Sequence, residues 1–399
     1  MTFSAPAGDN GPSRPLTGYR VIDFSQIVAG PMAAMVLADL GAEVIKVEPP
    51  SGDASRQLGS KPDRGYYGMF DTFNRNKKSV VIDLQTDAGH RHALALIDQA
   101  DVMIESSRVG VMDRLKLGSE AVLERNPYLI YVSITAYGER GPNAQRGGVD
   151  VAIQAETGWM SITGEPDGPP TKLGAVPIDA ATGHIAAQGA LAALLARERG
   201  GRGEVVRVSL YDVGCHLHAH DFTDYLTMGW LAKRTGNFPA ATTPSGVYQT
   251  ADGTMVLSAY MPHHWRVALD ILDDESLRND PRFETMKDRV LNRDALLPAL
   301  QAILKTRTTA DWMSRFSAAR ITSGVVRNTG EAAESDQFAA SEMVVDMSDG
   351  QRRVRSIRTP ARYESFDVPS PIPSPALDAD RSTVLADLVS VEPAPEPVE

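Results

Sequence analysis

Residues 19–49 read YRVIDFSQIVAGPMAAMVLADLGAEVIKVEP, with an alanine-rich stretch between two short apolar runs. The apolar runs at 19–24 and 43–47 predict two strands. The stretch between them predicts a helix that Pro31 opens and Gly41 ends, because proline fits the start of a helix and glycine its end. A strand, a helix and a second strand in this order indicate a parallel α/β sheet.

The same alternation continues along the chain. Further strands are predicted at 79–82, 101–104, 129–134 and 204–210, with helices at 86–99 and 119–125. Ligands of such sheets bind beyond the carboxyl ends of the strands, where Val28, Ala29, Ser106 and Tyr137 fall. The loop at 25–31 lacks the Gly-x-Gly-x-x-Gly pattern, which disfavours an enzyme that uses NAD(P).

The pattern changes after residue 210. Apolar runs at 247–250 and 255–258 flank the pair Asp252-Gly253, a combination that predicts a β-hairpin. Helices are predicted at 263–272, 289–304 and 309–319. We therefore expect a smaller α+β domain after the parallel sheet.

Composition limits the class of protein. The chain has 399 residues, which is enough for two domains with sizeable cores, and its formal charge of −11 argues against a nucleic-acid surface. It has one cysteine, Cys215, so no intrachain disulfide can form, in keeping with a reducing compartment. There is no apolar run of membrane-spanning length and no signal-peptide pattern, so we expect a cytoplasmic protein without a membrane partner.

Asp179 is the leading candidate for a catalytic residue. It follows the turn GAVP at 174–177 and precedes an alanine- and glycine-rich run at 183–196 that predicts a helix. At a helix N-terminus the dipole favours the ionised carboxylate, and small neighbours leave room for a bulky substrate. The pattern therefore predicts a nucleophile, while a helix cap is the alternative interpretation.

An ordered set of short blocks gives the most specific signal. The blocks are VIDFSQIVAGP at 21–31, LGAEVIKVEP at 40–49, Gly52-Asp53 with Arg56, NRNKKS at 74–79, MDRL at 112–115, SITAYG at 133–138, Gly141-Pro142, GVD at 148–150, Gln154-Ala155, and Asp179 with Gly183. In this order they resemble the family III CoA-transferases, a group that includes formyl-CoA transferase, carnitine CoA-transferase and 2-methylacyl-CoA racemases. The resemblance runs from about residue 18 to about residue 375.

The resemblance implies the fold and its division into domains. It implies a large Rossmann-like CoA-binding domain at 18–227, a small α+β domain at 228–330 and a C-terminal segment at 331–385 that returns to the large domain. A flexible N-terminus at 1–17 and a disordered tail at 386–399 complete the expected organisation. The family fold is an interlocked homodimer, so an intertwined homodimer is expected by resemblance alone.

The resemblance also implies an acyl-CoA:carboxylate CoA-transferase with no permanently bound cofactor, for which coenzyme A and acyl-CoA are substrates. An ionised aspartate with an ordinary pKa of about 4 can attack a thioester and form an aspartyl mixed anhydride, and then an aspartyl-CoA thioester, provided that water is excluded. The anhydride and the thioester each keep the acyl group activated, so no ATP is required. Backbone N–H groups at Gly164, Gly168 or the turn 244–246 are candidate oxyanion donors or a lid.

The CoA contacts are carried over one position at a time. By resemblance, Val28 and Ala29 line the CoA and acyl site, Ile82 lies near adenine, and Arg114 contacts phosphate. Tyr137 lies beside the pantetheine, and Ser106 lies in the same cofactor site. Some positions depart from the family pattern: Val28 stands for glutamine, Pro49 for arginine, Gln85 for lysine, Ser106-Ser107 for Asn-Phe, and Thr135 for lysine.

These departures bear on specificity. They remove basic contacts to the CoA phosphates unless Arg108, Lys77 or Lys78 replaces them. They also disfavour oxalate as the acceptor, since Val28 lacks a polar group that would hold a small acyl unit. A larger or more apolar acyl group is favoured.

Two alternative functions stay open at this point. Racemases of the family place a histidine before the Asp of the GVD motif, and Val149 at that position cannot shuttle a proton. A noncatalytic subunit of a heteromeric transferase is the second alternative, although Asp179 is present. No metal site is expected, because Cys215 and the histidines at 216, 218 and 220 lack an accompanying metal motif.

Overall fold

The structure is a computed structural model in which residues 14–61, 65–366 and 371–389 are described. The described elements are eleven strands, eighteen α-helices and two short 3-10 helices at Ala54–Arg56 and Pro281–Phe283. The strands are β1 (Arg20–Asp23), β2 (Glu43–Glu48), β3 (Lys77–Val81), β4 (Val102–Glu105), β5 (Ile130–Thr135), β6 (Glu204–Ser209), β7 (Ser245–Gln249), β8 (Thr254–Ser258), β9 (Thr322–Val325), β10 (Val344–Ser348) and β11 (Arg353–Ile357).

The helices, with the same numbering along the chain, complete the described fold. They are α1 (Ala29–Asp39), α2 (Met69–Phe73), α3 (Asp87–Asp98), α4 (Val111–Arg114), α5 (Ser119–Arg125), α6 (Asp150–Glu156), α7 (Trp159–Ile162), α8 (Pro177–Glu198), α9 (Leu210–His216), α10 (Ala219–Met228), α11 (Pro262–Leu272), α12 (Glu275–Arg278), α13 (Met286–Leu291), α14 (Arg293–Leu304), α15 (Thr309–Ala318), α16 (Thr329–Ala333), α17 (Asp336–Ala340) and α18 (Arg381–Val389).

The chain divides into two compact units. The first comprises the chain up to Thr157, Leu173–Thr223 and the chain from Met343 onward, as far as these residues are described. The second comprises Gly158–Lys172 and Asp224–Glu342. The smaller unit therefore differs from the range 228–330 drawn from the sequence, since it takes in residues 158–172 and extends to 342.

A six-stranded parallel sheet forms the first unit. Its strand order is β3-β2-β1-β4-β5-β6, and every neighbouring pair is parallel. The order reverses between β1 and β4, and such a switch point places the loops after these two strands on either side of a crevice. The predicted Rossmann-like α/β fold is confirmed, and the switch point marks where to look for a ligand.

Helices α1 and α8 approach each other closely beside this sheet. Both helices are rich in buried small side chains: Ala33, Ala34 and Ala38 of α1 and Ala186, Ala187 and Ala190 of α8 are all at most 4% exposed. Side chains of this size allow two backbones to pack at short range and bury apolar surface at about 25 cal/mol per Å². The alanine-rich sequences thus allow α8 to start close to the loop that joins β1 to α1. This loop is called the first loop below.

The C-terminal segment completes the first unit. Strands β10 and β11 form an antiparallel hairpin. The backbone N–H groups of Ser79 and Val81 donate to the carboxylates of Asp380 and Asp378, at 2.8 and 2.7 Å. The free edge of β3 is thereby covered by residues that lie about 300 positions later in the chain. Residues 386–389, predicted to lie in the disordered tail, belong to α18, while residues 1–13 and 390–399 lie outside the described residues.

The second unit has its own core. Strands β7, β8 and β9 form an antiparallel sheet, and β7 and β8 form the hairpin predicted around Asp252-Gly253. Buried aromatic side chains from the following helices pack in its core, among them Trp265, Trp312 and Phe316. The helix predicted over 289–304 is two helices, since α13 ends at Leu291 and α14 begins at Arg293.

Candidate active site

Asp179 lies in the first turn of the longest described helix. Helix α8 begins at Pro177, six residues earlier than the predicted start of the helix, and runs to Glu198. The N-cap residue is Val176, whose side chain cannot accept a hydrogen bond. The Asp179 side chain therefore does not cap the helix, and the alternative interpretation of this residue is wrong.

Asp150 supplies the missing cap. Its Oδ2 atom accepts hydrogen bonds from the backbone N–H groups of Ile178, at 2.8 Å, and Asp179, at 3.0 Å. Asp150 is 4% exposed and also accepts a hydrogen bond from the amide of Gln154. The amide oxygen of Gln154 in turn accepts from the N–H of Leu173 at 2.8 Å. A chain of hydrogen bonds thus connects α6 to the start of α8.

This arrangement changes the protonation of Asp179. Burial, and next the neighbouring carboxylate of Asp150, raise the pKa of Asp179 to about 7. The expectation that the helix dipole keeps the pKa of Asp179 near ~4 is wrong, because the amide donors at the helix start are bound to Asp150 instead. A half-buried carboxylate with a perturbed pKa is a feature of functional sites.

Glycine at position 183, one helical turn after Asp179, brings α8 against the first loop. An ideal Cβ atom on Gly183 would lie 2.7 Å from the carbonyl oxygen of Ala29 and 2.8 Å from Cβ of Met32. Only a residue without a side chain fits at this distance. The loop that carries Val28 and Ala29 is therefore packed beside the helical turn that carries Asp179.

The first loop also contacts the loop after β4. The backbone N–H of Gln26 donates to Oγ of Ser106 at 3.1 Å. Because β1 and β4 flank the switch point, this hydrogen bond joins the two sides of the crevice. The structure thus brings together Ser106, Val28, Ala29 and the start of α8, which the sequence predicted as parts of one site.

A cleft of about 470 Å³ opens at the ends of β4 and β5. Its lining includes Ser106, Arg108, Thr135, Arg146 and Gly147. Arg108 is exposed, and its guanidinium lies against the backbone of Gly147, where an ideal Cβ atom would be 3.2 Å from Nε. Arg108 also lines an adjacent cleft of about 330 Å³. Two arginines that line the same cleft form a setting for phosphate groups.

Tyr137 belongs to a small polar cluster beside this cleft. Its hydroxyl donates to Glu156 at 2.9 Å, and Arg146 pairs with the same carboxylate at 2.7 Å. The guanidinium of Arg146 lies 4.8 Å from the centre of the Tyr137 ring. Burial, and next the hydrogen bond to Glu156, raise the pKa of Tyr137. The sequence predicted that Tyr137 belongs to the site. It did not predict the contacts with Glu156 and Arg146, because the spacing of the motif does not indicate them.

Two other predicted contacts lie apart from this cleft. Ile82 is 3% exposed and belongs to the apolar core of the sheet. Arg114 is exposed at the end of α4, and neither cleft that Arg108 lines includes it. The roles of Ile82 near adenine and of Arg114 at the phosphates stay predictions.

Lys77 cannot replace a phosphate contact. Its side chain is fully buried, and its ammonium donates to Asp23, to the carbonyl of Pro31 and to Asn74, each at 2.8 Å. Burial lowers the pKa of Lys77 to about 8. Lys78 is partly exposed and pairs with Glu43 at 2.6 Å. The hypothesis that Lys77 replaces a missing contact to the CoA phosphates is therefore wrong.

Two of the predicted oxyanion donors, Gly168 and the turn 244–246, take other roles, while the role of Gly164 stays a prediction. The N–H of Gly168 donates to the carbonyl of Glu165 at 3.0 Å within a turn. Residues 245 and 246 lie in strand β7 rather than in a turn. The N–H of Gly168 is thus already bonded, and the turn expected at 244–246 is largely a strand.

The histidines near Cys215 do not form a metal site among the described residues. His216 ends α9, whereas His220 lies on α10, so the two are not on one helix. The ring of His218 is buried, with Nε2 2.8 Å from the carbonyl oxygen of Thr157. Its contact supports a structural role for His218.

Comparison with known proteins identifies the family of this chain. Residues 16–381 match the family model described as CoA-transferase family III. The Mycobacterium tuberculosis protein named "Probable fatty acyl-CoA transferase Rv3272" is 38% identical over 391 residues, which cover 94% of this chain and 99% of that protein. The acetyl-CoA:oxalate CoA-transferase of Acetobacter aceti is 34% identical over 396 residues, which cover 98% of this chain and all of that protein.

Solved structures give the same result. A crystal structure of Rv3272 from M. tuberculosis superposes with a TM-score of 0.85 at 37% identity, and a CaiB/BaiF family protein from Brucella suis superposes with a TM-score of 0.86 at 32% identity. Each comparison covers 94% of this chain and 100% of the other. The chain belongs to CoA-transferase family III. It is an acyl-CoA:carboxylate CoA-transferase, as the resemblance of its motifs implied. In the described part of the chain, no helix is both long and apolar enough to cross a membrane.

Proposed function

We propose that this enzyme moves CoA from an acyl-CoA thioester to a carboxylic acid through two covalent intermediates on Asp179. A carboxylate oxygen of Asp179 attacks the thioester carbonyl, the carbon–sulfur bond breaks, and a mixed anhydride and CoA thiolate form. The thiolate attacks the aspartyl carbonyl and releases the first acid, which leaves an aspartyl-CoA thioester. No ATP is consumed, because the anhydride and the thioester conserve the activation.

The second half of the reaction reverses these steps with another acid. A carboxylate oxygen of the acceptor attacks the aspartyl-CoA thioester and expels CoA thiolate. The thiolate then attacks the acceptor carbonyl of the new anhydride, forms the product acyl-CoA and restores Asp179. Hydrolysis is the competing reaction, so a site that excludes water is required.

One observation carries this proposal. Asp179 lies in the first turn of α8, one turn before the glycine that contacts the loop of Val28 and Ala29. A carboxylate with a raised pKa beside small residues has both the reduced solvation and the space that attack on a thioester requires. A racemase is not favoured, because Val149 before Asp150 carries no titratable group.

The residues around the first loop favour a larger or more apolar acyl group over oxalate. Val28 is buried and offers no polar group to a small dicarboxylate. The relative from M. tuberculosis is named as a fatty acyl-CoA transferase, whereas the relative from A. aceti is named for oxalate. We infer that the first of these is nearer to the substrate class of this enzyme.

A panel of substrates tests the proposal. The enzyme is incubated with succinyl-CoA or acetyl-CoA and a series of carboxylic acids from oxalate to long-chain fatty acids, and the CoA esters are measured by mass spectrometry. We expect new CoA esters of apolar acids to exceed those of oxalate. Absence of exchange by the homomer, with activity restored by a related subunit, would indicate a noncatalytic partner instead.

Assembly and location are part of the proposal. The family resemblance implies an intertwined homodimer, and the single cysteine is in keeping with the cytoplasm. Light scattering at micromolar concentration separates a dimer from a monomer.

Arg108→Ala is expected to raise the KM for acyl-CoA by roughly tenfold or more, since a charge-assisted contact contributes about 1.5–3 kcal/mol. The reason is that Arg108 lines both clefts at the ends of β4 and β5. Arg114→Ala is expected to have the same effect, because the family resemblance predicts that Arg114 contacts a CoA phosphate. Steady-state kinetics with acyl-CoA as the varied substrate measure both.

The matched control is Arg125→Ala. Arg125 is an exposed arginine at the end of α5 and is paired with Asp98. It comes before the amino end of β5, whereas the clefts lie at the carboxyl ends of the strands. Its KM should match that of the wild type. An unchanged KM in Arg108→Ala or in Arg114→Ala would remove that arginine from the phosphate site.

The pH dependence of kcat/KM follows from the pKa of Asp179. The attacking form is the carboxylate, so kcat/KM should rise with pH and level off above about 7. Asp150→Asn removes the neighbouring negative charge, so the midpoint of the profile should move to lower pH. Rates measured from pH 5 to about pH 9 in buffers of constant ionic strength test this. A profile that does not move would show that Asp150 does not act on Asp179 through its charge.

A further inference from the structure

Four charged side chains are buried below the first loop of the sheet. Asp23, Lys46, Asp53 and Lys77 are each at most 2% exposed. The ammonium of Lys46 lies 2.9 Å from the Asp53 carboxylate, and that of Lys77 lies 2.8 Å from Asp23. Burial of ion pairs costs desolvation free energy and often adds no net stability. Such a cluster therefore calls for an explanation other than stability.

Lys46 and Asp53 each bind the backbone of the first loop. The ammonium of Lys46 donates to the carbonyl oxygen of Ser25 at 2.7 Å. Asp53 accepts from the backbone N–H of Ile27 at 3.2 Å. Burial by itself disfavours the Asp53 carboxylate, but Lys46 and the hydrogen bonds from Ser55 together outweigh it and lower the pKa of Asp53. Two charged side chains thus bind neighbouring backbone groups of the loop, the carbonyl of Ser25 and the N–H of Ile27.

The loop needs to be held, because its conformation is locally unfavourable. Ile27 has a φ angle of 72°, in the left-handed region that β-branched residues avoid. Its side chain is 39% exposed, so packing does not account for this backbone. Contacts from outside the loop therefore impose the conformation, and Lys46 and Asp53 provide two of them.

The loop that Lys46 and Asp53 bind lies beside the helix that carries the reacting residue. Val28 and Ala29 follow Ile27, and the carbonyl of Ala29 lies against Gly183, four positions after Asp179 on α8. A change in the loop would therefore move the residues that line the acyl site relative to the nucleophile. A displacement of about 1 Å can reduce a rate by roughly a hundredfold.

We propose that Lys46 and Asp53 are a positioning pair that sets the first loop, with Val28 and Ala29, against the turn that carries Asp179. The inference rests on the proposed function of Asp179. Neither residue contacts the substrate, since both are buried beneath the loop.

Asp53→Asn is the direct test. The amide keeps the size of the side chain but removes the charge that binds Lys46. We expect kcat/KM for acyl-CoA to fall roughly ten- to a hundredfold. Hydrogen exchange of the peptide covering residues 24–30 should become faster, and this readout does not require activity.

Asp39→Asn is the matched control. Asp39 is 4% exposed and pairs with Arg75 at 2.6 Å, so the substitution removes an equally buried charge from the same unit. Its partners Arg75, Asn76 and Thr359 lie outside the first loop. We expect a lower melting temperature, with kcat/KM and the exchange of residues 24–30 close to the wild type.

Two further variants separate positioning from a general structural role. Ile27→Gly in the Asp53→Asn background should recover part of kcat/KM, about threefold, because glycine adopts a positive φ without strain. Ser55→Ala is the milder second variant, should Asp53→Asn fail to fold. It removes only the 2.7 Å hydrogen bond from Ser55 Oγ to Asp53, and a severalfold fall in kcat/KM is expected.

The proposal is overturned if Asp53→Asn or Ser55→Ala keeps wild-type kcat/KM and wild-type exchange at residues 24–30. It is also overturned if Asp39→Asn loses as much kcat/KM, or if Ile27→Gly recovers none. Failure of the proposed function would look different. Asp179→Ala would then keep CoA transfer, while the hydrogen exchange of the loop would still report whether Asp53 holds it.

Discussion

Asp179→Ala is expected to abolish CoA transfer while the protein still folds and binds CoA esters. Without the carboxylate neither the anhydride nor the aspartyl-CoA thioester can form. The expected loss in kcat exceeds a hundredfold, which corresponds to about 2.7 kcal/mol in the activation barrier. Steady-state exchange assays measure the loss, and calorimetry with the same CoA ester measures the binding.

Asp179→Asn should be equally inactive, because an amide is a far poorer nucleophile, and it adds a test of the environment. Folding raises the pKa of Asp179 to about 7, so the folded protein binds this proton more tightly than the unfolded chain does. The contribution to stability is therefore present below the ordinary pKa and is lost as the pH rises through about 7. Asp179→Asn should accordingly have a higher melting temperature than the wild type at pH 8, with a smaller difference at acidic pH.

Chemical trapping identifies the residue directly. Hydroxylamine added after incubation of the wild type with acyl-CoA should convert the activated aspartate to a hydroxamate on the peptide that contains Asp179. Glu198→Gln, at the exposed far end of the same helix, should retain both activity and trapping. Exchange above about a hundredth of the wild-type rate in Asp179→Ala would contradict covalent catalysis.

The strands and most helices were predictable because they depend on local patterns. The apolar runs at 19–24 and 43–47 predicted strands, with a helix between them marked by Pro31 and Gly41, and the structure has strands at Arg20–Asp23 and Glu43–Glu48. The order of the six strands was not specified by these patterns. It depends on crossovers between segments far apart in the chain, which periodicity does not report.

The partners of Asp179 could not be predicted in the same way. Asp150 precedes Asp179 by 29 positions and acts as a cap on a helix that is not its own. Pro177 is typical of a helix start, yet we predicted a turn there and a helix from 183, and a cap is ordinarily assigned to a nearby polar residue. The raised pKa of Asp179 follows from this long-range contact, and so the sequence predicted an ordinary one.

The buried lysines show a related limit. Lys77 lies in a run of polar residues that is typical of a solvated turn or a phosphate contact, and Lys46 interrupts an apolar strand. Both are fully buried, because the parallel sheet is covered on both faces and the carboxylates of Asp23 and Asp53 pair with the two ammonium groups. An isolated lysine inside an apolar strand is the one signal that indicated a buried ion pair.

Gly183→Ala is expected to lower both stability and kcat/KM. An alanine Cβ would lie 2.7 Å from a backbone carbonyl oxygen in the first loop, so helix α1, helix α8 or the loop must shift. Overpacking of this kind costs about 1–3 kcal/mol, and the shift falls between the acyl-site loop and the turn that carries Asp179. We expect kcat/KM to fall roughly tenfold or more at temperatures where the variant is fully folded.

Gly189→Ala separates the two effects. It lies on the same helix, and an alanine Cβ there would be 2.6 Å from a methyl group of Val206. This contact also costs stability, but it lies more than a helical turn beyond Gly183 and involves a side chain of β6 instead of the first loop. The melting temperature should therefore fall in both variants, while kcat/KM should fall only in Gly183→Ala. Equal kinetic losses would show that any strain in α8 disturbs the site, and wild-type kinetics in Gly183→Ala would show that the spacing between the loop and Asp179 does not limit the reaction.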